Sequence, residues 1–150
     1  MPKKIVITGG IGYIGTELCK IYSGISWNNE ILVIDNRFIS ERVNQLRNWD
    51  INFVHGDILD KDFINKHCKD ADVVHHLAGI TQVPRLKSES QSEQDKKIKL
   101  VADEGTQNII NAISDKCKIV FPSTHVVFEG IEKVRNDIPE DENTKPMLSY

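Results

Sequence analysis

The sequence predicts an α/β fold, a doubly wound parallel sheet with helices on both faces, and three observations carry that expectation. Short β-branched runs alternate with stretches of helical spacing from Lys4 to Phe121. The first run, Lys4-Ile5-Val6-Ile7-Thr8, passes through three spaced glycines, Gly9, Gly12 and Gly15, directly into a helical stretch. The second run, Ile31 to Ile34, ends in Asp35, twenty residues after Gly15. An unbroken apolar strand bounded by glycines is what a parallel strand covered on both faces looks like. Strands alternating with helices then build one sheet through right-handed crossovers.

Each glycine of the first turn has its own expected task. Gly9 allows the reversal, Gly12 lets backbone N–H groups come close to a pyrophosphate, and Gly15 lets the helix lie close on the strand. The helix N-terminus then faces an anion, and Asp35 suits a ribose diol. A larger residue at Gly12 is expected to abolish dinucleotide binding and leave the fold largely intact. A glycine triplet alone also fits a flexible turn, to which Gly10 adds a fourth glycine; the strand, the helix and Asp35 together favour a dinucleotide site.

The elements follow in order. The first helix runs to about Ser23, with Ile14, Leu18, Ile21, Tyr22 and Ile25 at helical spacing. Ser26 to Glu30 is a return turn, and a short helix over Ser40 to Arg47 turns Val43 and Leu46 inward. A third strand spans Ile51 to His55, and a helix from Asp60, its N-cap, to Cys68 faces inward with Phe63 and Ile64. Asp72 to Gly79 is the fourth strand and its exit. Ile80 to Gln94, with Pro84 and a serine-rich polar run, is a loop on the edge of the sheet that carries the glycine turn. A long helix places Ile98, Val101, Ala102, Gly105, Ile109, Ala112 and Ile113 on one face. The fifth strand is Lys118 to Phe121, and the charged stretch from Glu129 to Lys145 is a surface excursion.

Composition sets outer bounds. The chain has 150 residues, of which 39% are hydrophobic, enough for one domain with an ordinary core. Lys and Arg total 19 against 22 for Asp and Glu, so there is no basic field for nucleic acid. No apolar run has the length of a membrane span, and Met1-Pro2-Lys3-Lys4 leads into a strand without a secretory core, so a cytoplasmic location is expected. Cys19, Cys68 and Cys117 form no C-x-x-C pair and read as buried or half-buried thiols. His75 and His76, adjacent in a strand, point to opposite faces and do not share a metal ion; no metal is expected.

Taken together, Thr8-Gly9-Gly10-Ile11-Gly12-Tyr13-Ile14-Gly15, Asp35, His55-Gly56-Asp57-Ile58 and His75-His76-Leu77-Ala78-Gly79 resemble the extended short-chain dehydrogenase/reductase superfamily. Within it the likeness is to the NAD-dependent epimerase/dehydratase group that acts on nucleotide sugars. Phe121 to Phe128 is similar to the strand-five segment that ends in the catalytic Ser or Thr, and Tyr150 falls where the family has the Tyr of Tyr-x-x-x-Lys. The resemblance implies a Rossmann fold in which Gly9, Gly12, Tyr13, Ile14 and Gly15 hold the pyrophosphate. It implies that Asp35 and Asn36 contact the adenosine ribose, that Asp57 and Ile58 flank adenine, and that Leu77, Ala78 and Gly79 line the path to the nicotinamide. Thr124 and Tyr150 would stand at the reacting carbon. Asp35 favours NAD over NADP because a carboxylate repels a 2′-phosphate, although Arg37 nearby keeps NADP open.

There are departures from the family pattern. Ala102 stands where the long helix often has Asn, Phe128-Glu129 replaces a tyrosine-glycine pair, and His125-Val126 replaces the Asp-Glu of dehydratases, which disfavours dehydration. The missing Glu at position 126 likewise counts against decarboxylation. The motif Lys would fall at position 154, so the chain is expected to be an N-terminal part, cut before a C-terminal substrate domain and inactive alone. The implied function is an NAD-dependent nucleotide-sugar epimerase or related oxidoreductase, working through a keto-sugar and homodimeric in its full-length parent. Tyr150, assisted by a cation, would take the hydroxyl proton as hydride leaves, with Thr124 holding the same oxygen. His125 reads as an orienting or surface histidine. Alternatives are a non-catalytic NAD(P)-binding sensor or a nucleotide-sugar dehydratase or reductase.

Overall fold

The computed structural model describes residues 2–25, 28–80, 93–128, 130–131, 138–139, 141 and 143–145. Its elements are β1 (Lys4–Thr8), α1 (Tyr13–Ile25), β2 (Glu30–Asp35), α2 (Ser40–Asn48), β3 (Asn52–His55), α3 (Lys61–Cys68), β4 (Val73–His76), α4 (Glu93–Leu100), a π turn (Val101–Gly105), α5 (Thr106–Ala112), β5 (Lys118–Val120) and a 3-10 turn (His125–Phe128). The five strands form one parallel sheet in the order β3-β2-β1-β4-β5. The polar loop expected between Ile80 and Gln94 falls for residues 81–92 outside the described residues, and so does most of the expected excursion at 129–145.

Alternation along the strands divides the core in two. Val6, Leu32, Ile34 and Val74 pack on one face with Ile64 of α3 and Ile109 of α5. Ile5, Ile7, Ile31 and Val33 pack on the other with Cys19 of α1 and Leu46 of α2. Successive side chains of a strand point to opposite faces, so continuous β-branched runs require cover on both. The doubly wound architecture is therefore present, with β1 at its centre and fully buried from Ile5 to Thr8.

Local chemistry fixes several ends. Asp60 caps α3, its carboxylate accepting from Phe63 N–H at 3.0 Å. α2 ends with Asp50 in the left-handed region at φ 53°, and Ile51 N–H closes the cap on the Leu46 carbonyl at 2.9 Å. β3 consequently begins at Asn52, one residue later than the sequence suggests.

Two helical faces differ from expectation. In α1 the buried positions are Gly15 and Cys19, joined by half-buried Leu18 and Tyr22, whereas Ile14, Ile21 and Ile25 are exposed. The stripe is set by Gly15, which must lie against the turn, and that phase turns the isoleucines outward. In the long helix Ile98, Gly105, Ile109 and Ala112 are buried but Ala102 is exposed. The π turn lengthens the repeat there, so a uniform 3.6-residue wheel misplaces Ala102.

Candidate functional site

The sheet order reverses between β1 and β4, since the chain moves outward from β1 through β2 to β3 and then returns to lay β4 on the other side of β1. Ligands of open α/β sheets bind at such a switch point, outside the carboxyl ends of the strands. The glycine turn leaves β1 at this crevice, the Leu77–Gly79 segment leaves β4 beside it, and Asp35 and Asp57 stand at the ends of β2 and β3.

The turn is dictated by backbone packing. Gly9 has φ +69°, and a Cβ there would lie 2.7 Å from the Ala78 nitrogen and the Leu77 carbonyl. A Cβ on Gly15 would lie 2.5 Å from the Gly10 Cα and 2.6 Å from the Gly9 oxygen, so α1 abuts the turn itself. Gly10 is no spare glycine: a Cβ there would lie 2.5 Å from a methyl of Val33. At Gly12 a Cβ would stand 2.9 Å from the Gly9 carbonyl oxygen, the same oxygen that accepts the Gly12 N–H at 2.9 Å. Gly12 thus serves the turn as well as any ligand, and the expectation that a larger residue would spare the fold is corrected.

Tyr13 and Ile14 open α1 with exposed side chains. Their amides belong to the first helical turn, which has no intrahelical acceptors, and no acidic side chain sits in that turn. The positive end of α1 is therefore presented to the crevice with no acid of its own first turn beside it.

Asp35 is buried at 5% exposure, and both its oxygens accept hydrogen bonds, one of them with a lone pair to spare. One carboxylate oxygen accepts from Ile11 N–H at 3.3 Å; the other accepts from Arg37 N–H at 3.0 Å and from Arg37 Nε at 3.3 Å. The guanidinium of Arg37, more than half exposed, reaches toward the Gly12 face of the turn. Arg42, in the first turn of α2, donates to the Ile11 carbonyl. Two cations, Arg37 and Arg42, thus flank the glycine turn; Arg42 is one of two arginines on α2, and nothing in the sequence singles it out.

The β3 exit is also netted together. Asn36 Nδ2 donates to one oxygen of Asp57 at 3.0 Å, and Leu59 N–H donates to the other at 3.0 Å. His55 Nε2 lies 2.9 Å from the Asn36 carbonyl and so donates to it. Ile58 is 5% exposed and its side chain belongs to the core; only its backbone borders the crevice. Leu77 N–H donates to the Thr8 carbonyl at 3.1 Å, Leu77 and Ala78 are half-buried, and Gly79 is exposed with open space around it.

His75 and His76 do face opposite ways. His75 Nε2 is 2.7 Å from the Tyr22 hydroxyl of α1, and His76 lies between the Thr8 hydroxyl at 2.8 Å and the Thr106 hydroxyl of α5 at 3.0 Å. Burial drives the His76 pKa from 6.5 down to about 4. Its folded value is depressed, so an unfolded chain binds a proton that the folded chain refuses between those limits. Its share of stability is therefore complete above pH 6.5 and falls toward pH 4, by on the order of 3 kcal/mol. Urea melts at pH 7.5 and 4.5 should show the gap between wild type and His76→Gln narrowing at the lower pH; a gap independent of pH would refute this. Burial also pushes the Cys19 and Cys68 thiols up to about 12 and about 11, which makes both poor nucleophiles.

Thr124 is half-buried four residues beyond β5, just before the 3-10 turn. Tyr150 lies outside the described residues. The described residues contain no group of three or more His, Cys, Asp or Glu side chains placed to hold a metal, and no helix long and apolar enough to cross a membrane.

The model of the 3-beta hydroxysteroid dehydrogenase/isomerase family matches residues 6–148. The chain belongs to this family. Its motifs put it with the NAD-dependent epimerase/dehydratase-like members of the extended short-chain dehydrogenase/reductase superfamily. Among curated relatives, a UDP-N-acetyl-alpha-D-glucosaminuronate decarboxylase of Bacillus cytotoxicus is 30% identical over 132 residues, covering 85% of this chain and 38% of that protein. Among solved structures, a UDP-N-acetylglucosamine 4-epimerase of Methanobrevibacter ruminantium, in complex with UDP-N-acetylmuramic acid, superposes with a TM-score of 0.77 at 25% identity, covering 99% of this chain and 46% of the other. The Bordetella bronchiseptica enzyme WbmG, in complex with NAD and UDP, shares the fold with a TM-score of 0.75 at 23% identity, over 100% of this chain and 46% of its own. The chain spans less than half the length of each.

Proposed function

We propose that residues 1–150 are the NAD-binding domain of a nucleotide-sugar epimerase or closely related oxidoreductase, the whole protein adding a substrate domain. The observation that carries this reading is the meeting, at one switch point, of a turn that only glycines can make, an unencumbered helix N-terminus and the buried Asp35 carboxylate. A dinucleotide fits that set: diphosphate at the Gly9–Gly15 turn with the amides of Tyr13 and Ile14, ribose at Asp35 and Asn36, adenine beside Asp57 and the Ile58 backbone, and nicotinamide toward Leu77, Ala78 and Gly79.

Bound NAD would supply a hydride acceptor. The chain's own part is to hold the sugar oxygen and move its proton. Thr124, just past the end of β5, is assigned the hydrogen bond to that oxygen, and Tyr150 its deprotonation. A tyrosine, with an ordinary pKa of about 10, needs a neighbouring positive charge to act near neutrality. Return of that hydride to the opposite face of a keto-sugar would give the epimer. A decarboxylase is favoured by the likeness to the Bacillus enzyme and disfavoured by Val126 where that branch carries a Glu. A dinucleotide sensor without catalysis is the reading from another class.

The test has two parts. Titration with NAD and NADP, followed by protein fluorescence, should show saturable binding with NAD preferred. Incubation of the whole protein, substrate domain included, with UDP-, GDP-, CDP- and dTDP-sugars and NAD, with products identified by NMR, should show inversion at one sugar carbon. Carbon dioxide release from a UDP-uronate would replace the epimerase reading by the decarboxylase; binding without turnover of any sugar nucleotide by the whole protein would leave the sensor. No dinucleotide binding at all would refute the proposal.

A further inference from the structure

The first turn of α5 lies outside the crevice, yet it reaches two of the segments that border it. Thr106 Oγ1 is 3.0 Å from His76 Nε2, His76 Nδ1 is 2.8 Å from Thr8 Oγ1, and Thr8 Oγ1 accepts from Ala78 N–H at 3.4 Å. Thr8 and His76 are 0% and 2% exposed, so the bond between them has no water to replace it. Two residues on, Asn108 Nδ2 donates to the carbonyls of Ile58 at 3.0 Å and Leu59 at 3.3 Å. The Ile58–Leu59 peptide is then held at both ends, its carbonyl by Asn108 and its N–H by Asp57. Just before them, bare Gly105 lets the helix lie on Ile58, since a Cβ would stand 2.3 Å from the Ile58 Cδ1 and 2.7 Å from its Cγ1. The π turn that precedes α5 sets the phase in which these residues face the loops.

We infer that the first turn of α5 is a positioning element of the dinucleotide site, with Thr106 acting through His76 and Thr8 on the Leu77–Gly79 border and Asn108 acting on the Asp57–Leu59 border. The inference rests on the proposed dinucleotide reading of the crevice. Both borders are strand exits, where the ladder no longer fixes the peptide planes, and a side chain from another element must do so. Asn108 orients the Asp57 carboxylate, which belongs to the adenosine end. Thr106 governs the Ala78 peptide, which belongs to the nicotinamide end. The two residues are therefore separable by ligand, which a general packing role would not allow.

The test compares Thr106→Val, Thr106→Ser and Asn108→Leu, with Asn108→Ser as the second variant should the leucine fail to fold, against two ligands, NAD and AMP. Asn108→Leu should weaken AMP and NAD alike, by about tenfold, the cost of losing one to two part-buried hydrogen bonds. Thr106→Val should weaken NAD several-fold while AMP stays within about twofold of wild type, and Thr106→Ser, which keeps the hydroxyl, should restore NAD binding. Equal losses for both ligands in Thr106→Val, or wild-type affinities in folded variants at both positions, would overturn the inference and leave the cofactor reading standing. Failure of the wild-type protein to bind either ligand would instead overturn the cofactor reading, and the inference with it.

Discussion

Gly9→Val should lower stability by more than about 3 kcal/mol and abolish NAD binding, one of the two largest single-residue effects expected in this chain. Two costs coincide at Gly9. Its φ of +69° is strained for any L side chain and most of all for a β-branched one. The added Cβ would also fall 2.7 Å from backbone atoms of Leu77 and Ala78, and that backbone, tied to Thr8 through the Leu77 and Ala78 N–H groups, cannot give way as a side-chain end can. Gly24 provides the contrast. It lies in the last turn of α1 with nothing within 4 Å of its missing Cβ, so Gly24→Ala should be neutral or stabilise by about 0.5 kcal/mol through helix propensity. Urea denaturation of the two variants decides it: similar midpoints would show that the turn is not backbone-packed as described.

Asp35→Ala should weaken NAD by about 10- to 100-fold and move the NAD/NADP preference toward NADP by at least about tenfold. The carboxylate is the acceptor for Ile11 N–H on the glycine turn and for Arg37 on the β2 exit. Its removal therefore loses the proposed ribose bonds, loosens the turn, and frees a guanidinium beside the ribose position. A freed Arg37 attracts a 2′-phosphate that an intact Asp35 repels. Arg37→Ala should act in the opposite sense, weakening NADP and leaving NAD nearly unchanged. Asp35→Asn keeps the shape and removes the charge, so it separates repulsion from hydrogen bonding. Parallel titrations of the four proteins with NAD and NADP measure the ratio, and a ratio that stays constant across them removes Asp35 from cofactor selection.

Much of this was legible in the chain itself, because it rests on neighbours in sequence. The runs Lys4 to Thr8 and Ile31 to Ile34 can only be strands covered on two faces, and they became β1 and β2, buried on both. Asp60 before a helical stretch is a local capping signal, and it caps α3. The opposed directions of His75 and His76 follow from strand geometry and are met by Tyr22 on one side and Thr106 on the other. What the sequence by itself determined is thus the alternation of elements, the glycine turn between β1 and α1, and the acid at the end of β2. Each depends on spacing within one strand, one turn or one helix.

Only the tertiary structure decided which stripe of a helix is buried and which distant groups meet. Ile14, Ile21 and Ile25 share helical spacing with the buried residues of α1, but the close approach of Gly15 to Gly9 and Gly10 fixes the rotation and leaves them exposed. Gly10 is required by Val33 of the neighbouring strand, Ile58 is drawn into the core by Gly105, and Arg42 reaches Ile11 from a helix about thirty positions away. Asn108 meets Ile58 across 50 residues and Ala78 meets Thr8 across 70. Such pairings are set by the order in which strands enter the sheet and by the phase of each helix on it, quantities that no short-range spacing encodes.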